Sequence, residues 1–209
     1  MTRARSIFAR GDERPWQATW VRTGRDTAGP VPPVVPLGAA GALPGPALTA
    51  DQTLTDALQI QAGQTVLVHG AGGVTGGMLV QLAVHAVGQR PHLIGPVRLA
   101  IVEDGHSAQR EEAISTVRAR GSDNRGALGA DAAANAARSG ARHAVWAIRH
   151  RGRLATITAD PPPAERGISV FDVQVVPDGA RLRRLTRLLG QGAISVTVGA
   201  RYPLGQAAR

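Results

Sequence analysis

The sequence predicts an α/β fold, and three adjacent features carry this prediction. Thr65–His69 is a short run of β-branched residues and leucine, which is typical of a strand buried in a parallel sheet. In residues 74–87 the apolar side chains recur at intervals of three and four, which predicts a helix with one packed face. A glycine-rich turn joins the strand to the helix. This order is typical of the first unit of a Rossmann-type, doubly wound parallel sheet, and we predict that fold class.

The segment before this unit is expected to be irregular, apart from one short helix. Residues 1–28 are polar, and residues 29–46 are rich in proline and glycine, which indicates a linker or a strap along the surface. Leucine and alanine at helical spacing within residues 49–60 predict a short helix whose start Thr49 or Asp51 could cap.

The position of the second strand remains open at this point. The strand is residues 92–97, residues 98–102, or a single strand bent at Pro96. Residues 104–127 are charged and contain several glycines, and the alanine-rich residues 131–137 are expected to be helical or loosely coiled.

The C-terminal third predicts further strands and one more helix. Residues 143–148 and 153–158 are short apolar segments, each a strand or a helix end, separated by a glycine turn, and the second is the better strand. The remaining expected elements are a strand in residues 170–176, a helix in residues 180–189 that begins after Pro177-Asp178-Gly179, and a strand in residues 193–198. We expect a domain division into residues 1–50, 51–190 and 191–209.

Composition indicates a globular protein with one main domain. The chain has 209 residues, of which 43% are hydrophobic and 19% charged. Cysteine is absent, which excludes disulfides, thiolate metal ligands and cysteine nucleophiles and fits a cytoplasmic location. The N-terminus has no apolar run typical of a signal peptide, and the apolar residues 66–88 contain histidines, a glutamine and glycines that argue against a membrane span.

The net charge of +9 is not taken as evidence for nucleic-acid binding. Every basic side chain is an arginine, which together with abundant alanine and glycine favours codon bias as the cause. The densest arginine group, residues 181–187, surrounds a leucine stripe at helical spacing, so a solvated helix face accounts for it.

The glycine turn is the motif with a chemical implication. A pyrophosphate needs a turn without Cβ atoms in its way and a helix N-terminus whose free N–H groups face the anion. We expect Gly70 to form the tight turn, Gly73 and Val74 to offer backbone N–H groups, Thr75 to add a hydroxyl donor, and Gly76 to allow close packing. The predicted cofactor-binding residues of the turn are Gly70, Ala71, Gly73, Val74, Thr75 and Gly76. The histidine before the turn, at position 69, either touches the cofactor or is hydrogen-bonded among the strand ends.

The surrounding sequence bears on the kind of nucleotide. The turn lacks the Gly-Lys-Ser/Thr ending of a mononucleotide P-loop, which disfavours ATP or GTP hydrolysis. If the second strand ends near Pro96, Arg98 suits the 2′-phosphate of NADP, whereas if the strand ends at Val102, Glu103 suits the ribose of NAD.

Residues 47–88, including GQTVLVHGAGG and VQLA, resemble the medium-chain dehydrogenase/reductases, and specifically their zinc-independent quinone oxidoreductase-like branch. Shorter matches follow, among them Gly152-Arg153-Leu154 and Tyr202-Pro203-Leu204, and the resemblance covers roughly half of the chain. It implies an NADPH-dependent oxidoreductase (NADH is the alternative) with a GroES-like barrel and a Rossmann domain, passing hydride to a quinone or an enone. It also implies a small-molecule substrate, no membrane partner and a homodimer.

The chain also departs from the pattern of that family. Only residues 34–50 resemble the barrel, as its exit into the cofactor domain, so the barrel is expected to be present as fragments and the chain to be truncated. After Leu128-Gly129-Ala130-Asp131 the family places a strand of DxVxD type, which is expected to be short or lost here. No cysteine is present to ligate a catalytic zinc, no triad is evident, and the catalytic residues are unknown. The alternative hypothesis is a catalytically incomplete nucleotide-binding remnant that serves as an interaction module or has no activity.

Overall fold

A computed structural model of the protein describes residues 25–89, 98–102, 129–138 and 140–200. The chain divides into two compact units. Of the described residues, those between 49 and 174 form one unit, and residues 25–48 together with 175–200 form the other. None of the helices in the described ranges is long and apolar enough to cross a membrane.

The described part of the larger unit contains a five-stranded sheet in which every neighbouring pair of strands is parallel. The strands are β1 (Thr65–His69), β2 (Arg98–Val102), β3 (Ala130–Asn135), β4 (Ile148–Thr156) and β5 (Ser169–Asp172). Their order in the sheet is β2-β1-β3-β4-β5, so the chain leaves β1 to one side for β2 and then continues on the other side. This reversal at β1 is the topological switch point of a doubly wound sheet, and it confirms the predicted Rossmann-type fold class.

The strand and helix of the glycine unit lie where the sequence predicted them. Val66, Leu67 and Val68 of β1 are fully buried, as expected for a central parallel strand. The helix α3 spans Val74–Gln89, two residues beyond the predicted end. Its residues Met78 and Leu79 are buried and provide the packed face.

Strand β3 corrects the expectation of a helix or coil in residues 131–137. Ala133 pairs with Leu67 of β1 on one side and with Leu154 of β4 on the other. Both edges of β3 are therefore hydrogen-bonded, and this pairing outweighs the modest helix propensity of alanine, which is worth less than about 1 kcal/mol per residue. The strand that the family pattern requires after Gly129 is thus present, and the expectation that it is short or lost was wrong.

Strand β4 is longer than predicted and includes the glycine that was expected to form a turn. The preceding helix α4 spans Ala141–Trp146, and β4 begins at Ile148. The pairing with β3 jumps from Ala130↔Ile148 to Ala132↔Arg153, which is a bulge rather than a turn. Arg151 within this bulge has a φ of +58°.

The predicted C-terminal helix is confirmed as α5, Gly179–Gly190, in the smaller unit. The side chain of Asp178 caps it by accepting a hydrogen bond from the backbone N–H of Arg181 at 2.9 Å. Leu182, Leu185 and Leu188 of the leucine stripe are buried and three of the arginines are exposed, as expected for an amphipathic helix. Residues 193–198 form no strand, so that prediction was wrong, although Ile194 is buried.

Two helices occupy part of the segment that was predicted to be a linker or strap. They are α1 (Leu37–Ala42) and α2 (Pro44–Gln52), and a single π-helical turn, Thr53–Ala57, follows them. Proline at the first position of α2 is compatible with a helix start because that residue needs no N–H donor. Thr49 and Asp51 therefore lie inside the helix and do not cap it, contrary to the prediction.

Candidate functional site

The glycine turn lies at the carboxyl end of β1, beside the switch point. Gly70 has a φ of +82°, a left-handed conformation that glycine adopts without steric cost. The N–H of Gly73 donates to the carbonyl oxygen of Gly70 at 3.1 Å and closes the turn. Helix α3 begins at the next residue, Val74, so its N-terminus opens onto the same edge of the sheet.

Two of the glycines are required by packing within the protein. A Cβ on Gly70 would lie 2.7 Å from the backbone nitrogen of Ala137, in the segment after β3. A Cβ on Gly76 would overlap the carbonyl oxygen of Gly70 and lie 2.8 Å from the Cα of Ala71. These contacts fit the expected parts of Gly70 in the turn and of Gly76 in close packing.

The outer side of the turn has space for a ligand. A Cβ on Gly72 would meet nothing within 4 Å, and one on Gly73 would meet only the Gly70 oxygen at 3.4 Å. Gly73 and Val74 are exposed, and Ala71 and Thr75 are partly exposed. The first N–H groups of an α-helix have no partner within the helix, and together with the helix dipole they favour an anion at this position. The residues present therefore fit a pyrophosphate.

The structure places Arg98 away from this turn. Strand β2 ends at Val102, the second of the two alternatives, and Arg98 pairs with Thr65 at the amino end of the sheet. The turn follows His69, which pairs with Val102 at the carboxyl end. The prediction that Arg98 binds a 2′-phosphate required the second strand to end near Pro96, and this condition is not met. Glu103, the residue of the other alternative, lies outside the described residues.

A buried polar network, which sequence reasoning missed, joins the carboxyl ends of β1, β3 and β4. The ring Nδ1 of His69 and the side-chain oxygen of Asn135 lie 2.9 Å apart, and both residues are fully buried. The Asn135 amide nitrogen donates to the carbonyl oxygen of Ala137 at 3.1 Å, and it reaches the hydroxyls of Thr156 at 3.3 Å and Thr158 at 3.1 Å. The network corresponds to the second reading of His69, a histidine hydrogen-bonded among the strand ends.

The network continues to a carboxylate after β4. Thr156 donates to Oδ1 of Asp160 at 2.8 Å, and the hydroxyl of Thr158 donates to the same oxygen. Asp160 is partly exposed, and the intervening Ala159 has a φ of +55°. The sequence would have indicated this network if β3 had been predicted correctly. A polar residue, His69, Asn135 or Thr156, then ends each of three adjacent strands.

A separate cleft of about 520 Å³ lies along helix α4 and the connection from β4 to β5. Its walls are formed by Arg142, His143, Val145, Trp146, Pro162, Pro163 and Glu165. None of the residues of the glycine turn lines it. Among the described residues, no group of three or more histidine, aspartate or glutamate side chains is arranged to hold a metal ion.

Solved oxidoreductase structures share this fold. A mycobacterial quinone oxidoreductase matches with a TM-score of 0.65 and 23% identity, over 86% of this chain and 61% of that one. A Bacillus thuringiensis protein named as an NADPH:quinone reductase matches with a TM-score of 0.66 and 21% identity, over 87% of this chain and 61% of that one. A mycobacterial protein solved in complex with NADPH matches with a TM-score of 0.65 and 23% identity, over 85% of this chain and 62% of that one.

A protein described as a member of the alcohol dehydrogenase superfamily, from Novosphingobium aromaticivorans, also matches, with a TM-score of 0.60 and 18% identity. At these identities the similarity concerns the fold alone. The chain spans less than two thirds of the length of these solved chains. The sequence matches no protein-family model and no curated protein.

Proposed function

We propose that this chain binds a nicotinamide dinucleotide at the turn between β1 and α3, as the cofactor domain of an oxidoreductase. The observation that carries the proposal is the open side of the turn at Gly72 and Gly73, directly before the N-terminus of a 16-residue helix. The position of the turn beside the switch point of the sheet supports it, because doubly wound sheets bind dinucleotides there.

Each part of the turn would contribute to binding. The backbone N–H group of Val74 and the hydroxyl of Thr75 would hold the pyrophosphate oxygens. The N–H of Gly73 already closes the turn on Gly70, so Gly73 would contribute by leaving space for the phosphates rather than by donating, contrary to the expectation for its N–H. Ala71 would line the turn with its small side chain, while Gly70 and Gly76 keep the turn against α3. The bound nicotinamide supplies hydride chemistry, and the protein supplies binding, orientation and electrostatics.

The reaction we propose is hydride transfer from NADPH or NADH to a quinone or an enone. The fold shared with a quinone oxidoreductase and an NADPH:quinone reductase supports this substrate class. Specificity for NADPH or NADH would be set at the carboxyl end of β2, after Val102, because the adenosine ribose of a dinucleotide lies there. An acidic side chain at position 103 would favour NADH.

The test is a titration of the purified chain with NADPH and with NADH, followed by nucleotide fluorescence, and then an assay of nucleotide oxidation with a simple quinone. Saturable binding of one nucleotide together with quinone-dependent oxidation is the expected result. Binding without oxidation would select the alternative of a catalytically incomplete remnant. No saturable binding of either nucleotide would refute the proposal.

A further inference from the structure

The hydrogen bonds that lead from His69 to Asp160 through the buried network have a defined direction. The carbonyl oxygen of Ala137 can only accept, so the amide nitrogen of Asn135 must face it. The amide oxygen of Asn135 then faces His69, whose Nδ1 must carry the hydrogen. Donation therefore runs from the ring of His69 to Asn135.

The same direction continues from Asn135 to the carboxylate. One N–H of the Asn135 amide faces Ala137, and the other is shared between the hydroxyls of Thr156 and Thr158, whose oxygens lie 3.0 Å apart. Because the amide is the donor to these oxygens, each hydroxyl can give its own hydrogen to Oδ1 of Asp160. A chain of hydrogen bonds that all point the same way is mutually polarising. Its accepting end is the negative charge of Asp160.

The network fixes the carboxylate at a defined place on the edge of the sheet. Both hydroxyls converge on one oxygen of Asp160, and the residue is partly exposed. Ala159 has a φ of +55°, a left-handed conformation that is unfavourable for a residue other than glycine and is concentrated at ligand clamps and active sites. The loop is therefore held by its hydrogen bonds in a conformation that it would not adopt by itself.

The sheet order places this carboxylate on a particular side of the proposed cofactor site. Strand β4 is two positions from β1, on the side away from β2, a separation of about 10 Å. In a doubly wound sheet the adenosine half of a dinucleotide extends toward β2, so the nicotinamide half extends over β3 and β4. Asp160 follows β4 and so lies on the nicotinamide side.

We propose that Asp160 acts at this edge as an electrostatic selector that favours the oxidised nicotinamide ring over the reduced one. The inference rests on the proposed function. The oxidised ring carries a positive charge that the reduced ring lacks, so a fixed carboxylate nearby stabilises the oxidised form selectively. A unit charge several ångströms from the ring, in a partly solvated site, is expected to change affinity roughly five-fold.

The test compares dissociation constants of the oxidised and reduced nucleotide for the wild-type chain and for Asp160→Asn. Asparagine keeps a side-chain oxygen for the two threonine hydroxyls and removes the charge. The expected result is a roughly five-fold weaker binding of the oxidised form with less than about a two-fold change for the reduced form. Asp160→Glu should keep the wild-type ratio because it keeps the charge.

Asp56→Asn is the matched control, since it removes an exposed carboxylate that precedes the amino end of β1. Its ratio of affinities should equal that of the wild type. An unchanged ratio in Asp160→Asn, or an equal loss of affinity for both forms, would overturn the inference while leaving the proposed function intact. Failure of the wild-type chain to bind either form would overturn the proposed function and this inference with it.

Discussion

Gly76→Ala is expected to destabilise the chain, because the turn and helix α3 pack against each other through this residue. The added Cβ would overlap the carbonyl oxygen of Gly70 and lie 2.8 Å from the Cα of Ala71. The turn has no room to retreat, since Gly70 itself lies against Ala137. The overlap must therefore be relieved by moving the first turn of α3.

The size of the effect follows from two opposing contributions. Forcing an extra carbon into a packed backbone contact costs about 3 kcal/mol, the upper part of the range for overpacking. Replacing glycine by alanine within a helix offsets at most about 1 kcal/mol of this cost. The net loss of about 2 kcal/mol in the free energy of unfolding corresponds to a fall in Tm of about 4–8 °C for a chain of this size.

Thermal unfolding of the Gly76→Ala variant measures the effect, and the Gly77→Ala variant is the control because it changes the adjacent glycine. A Cβ on Gly77 would lie 3.4 Å from the carbonyl oxygen of Ala71, so this variant should stay within about 1 kcal/mol of the wild type. If Gly76→Ala melted at or above the wild-type temperature, or together with Gly77→Ala, the described packing of α3 on the turn would be refuted.

Three further substitutions test other parts of the structure by thermal or denaturant unfolding. Gly140→Ala should cost about 2 kcal/mol because its Cβ would overlap the ring of His69, and wild-type stability would contradict that contact. Asp178→Ala should cost about 1 kcal/mol through loss of the cap on Arg181, and Asp178→Asn should restore most of it, whereas equal losses in both would argue against the cap. Leu154→Ala should cost about 2–5 kcal/mol because Leu154 is fully buried in the core between sheet and helix, and a loss below about 1 kcal/mol would contradict this burial.

The elements that the sequence predicted well are those whose local pattern and tertiary environment agree. Strand β1 consists largely of β-branched residues and leucine, and most of its residues are buried in the sheet. Helix α3 has apolar periodicity, and a glycine turn precedes it. Helix α5 has a capping aspartate before an amphipathic leucine pattern. The location of the candidate site followed from these elements.

The elements that were missed depend on contacts between distant parts of the chain. Alanine has no strand preference, so β3 is defined by its pairing with β1 and β4 rather than by its own side chains. The buried network was missed for the same reason, because the meaning of Asn135 depends on its position at the end of a strand. The bulge in β4 likewise depends on its register with β3.

Binding of NADPH and NADH to Gly73→Asp and Gly73→Asn, compared with the wild-type chain, tests most directly the claim that the turn holds a pyrophosphate. The two variants have side chains of nearly equal size at a position with room for a Cβ, and only the aspartate adds a negative charge. A charge about 4 Å from a phosphate costs about 4 kcal/mol near a protein surface, or roughly a thousand-fold in affinity. We predict that the Gly73→Asp chain folds but shows no detectable binding of either nucleotide. The Gly73→Asn chain is expected to bind the nucleotide much more tightly than the Gly73→Asp chain. Wild-type affinity in Gly73→Asp would contradict the placement of the cofactor at this turn.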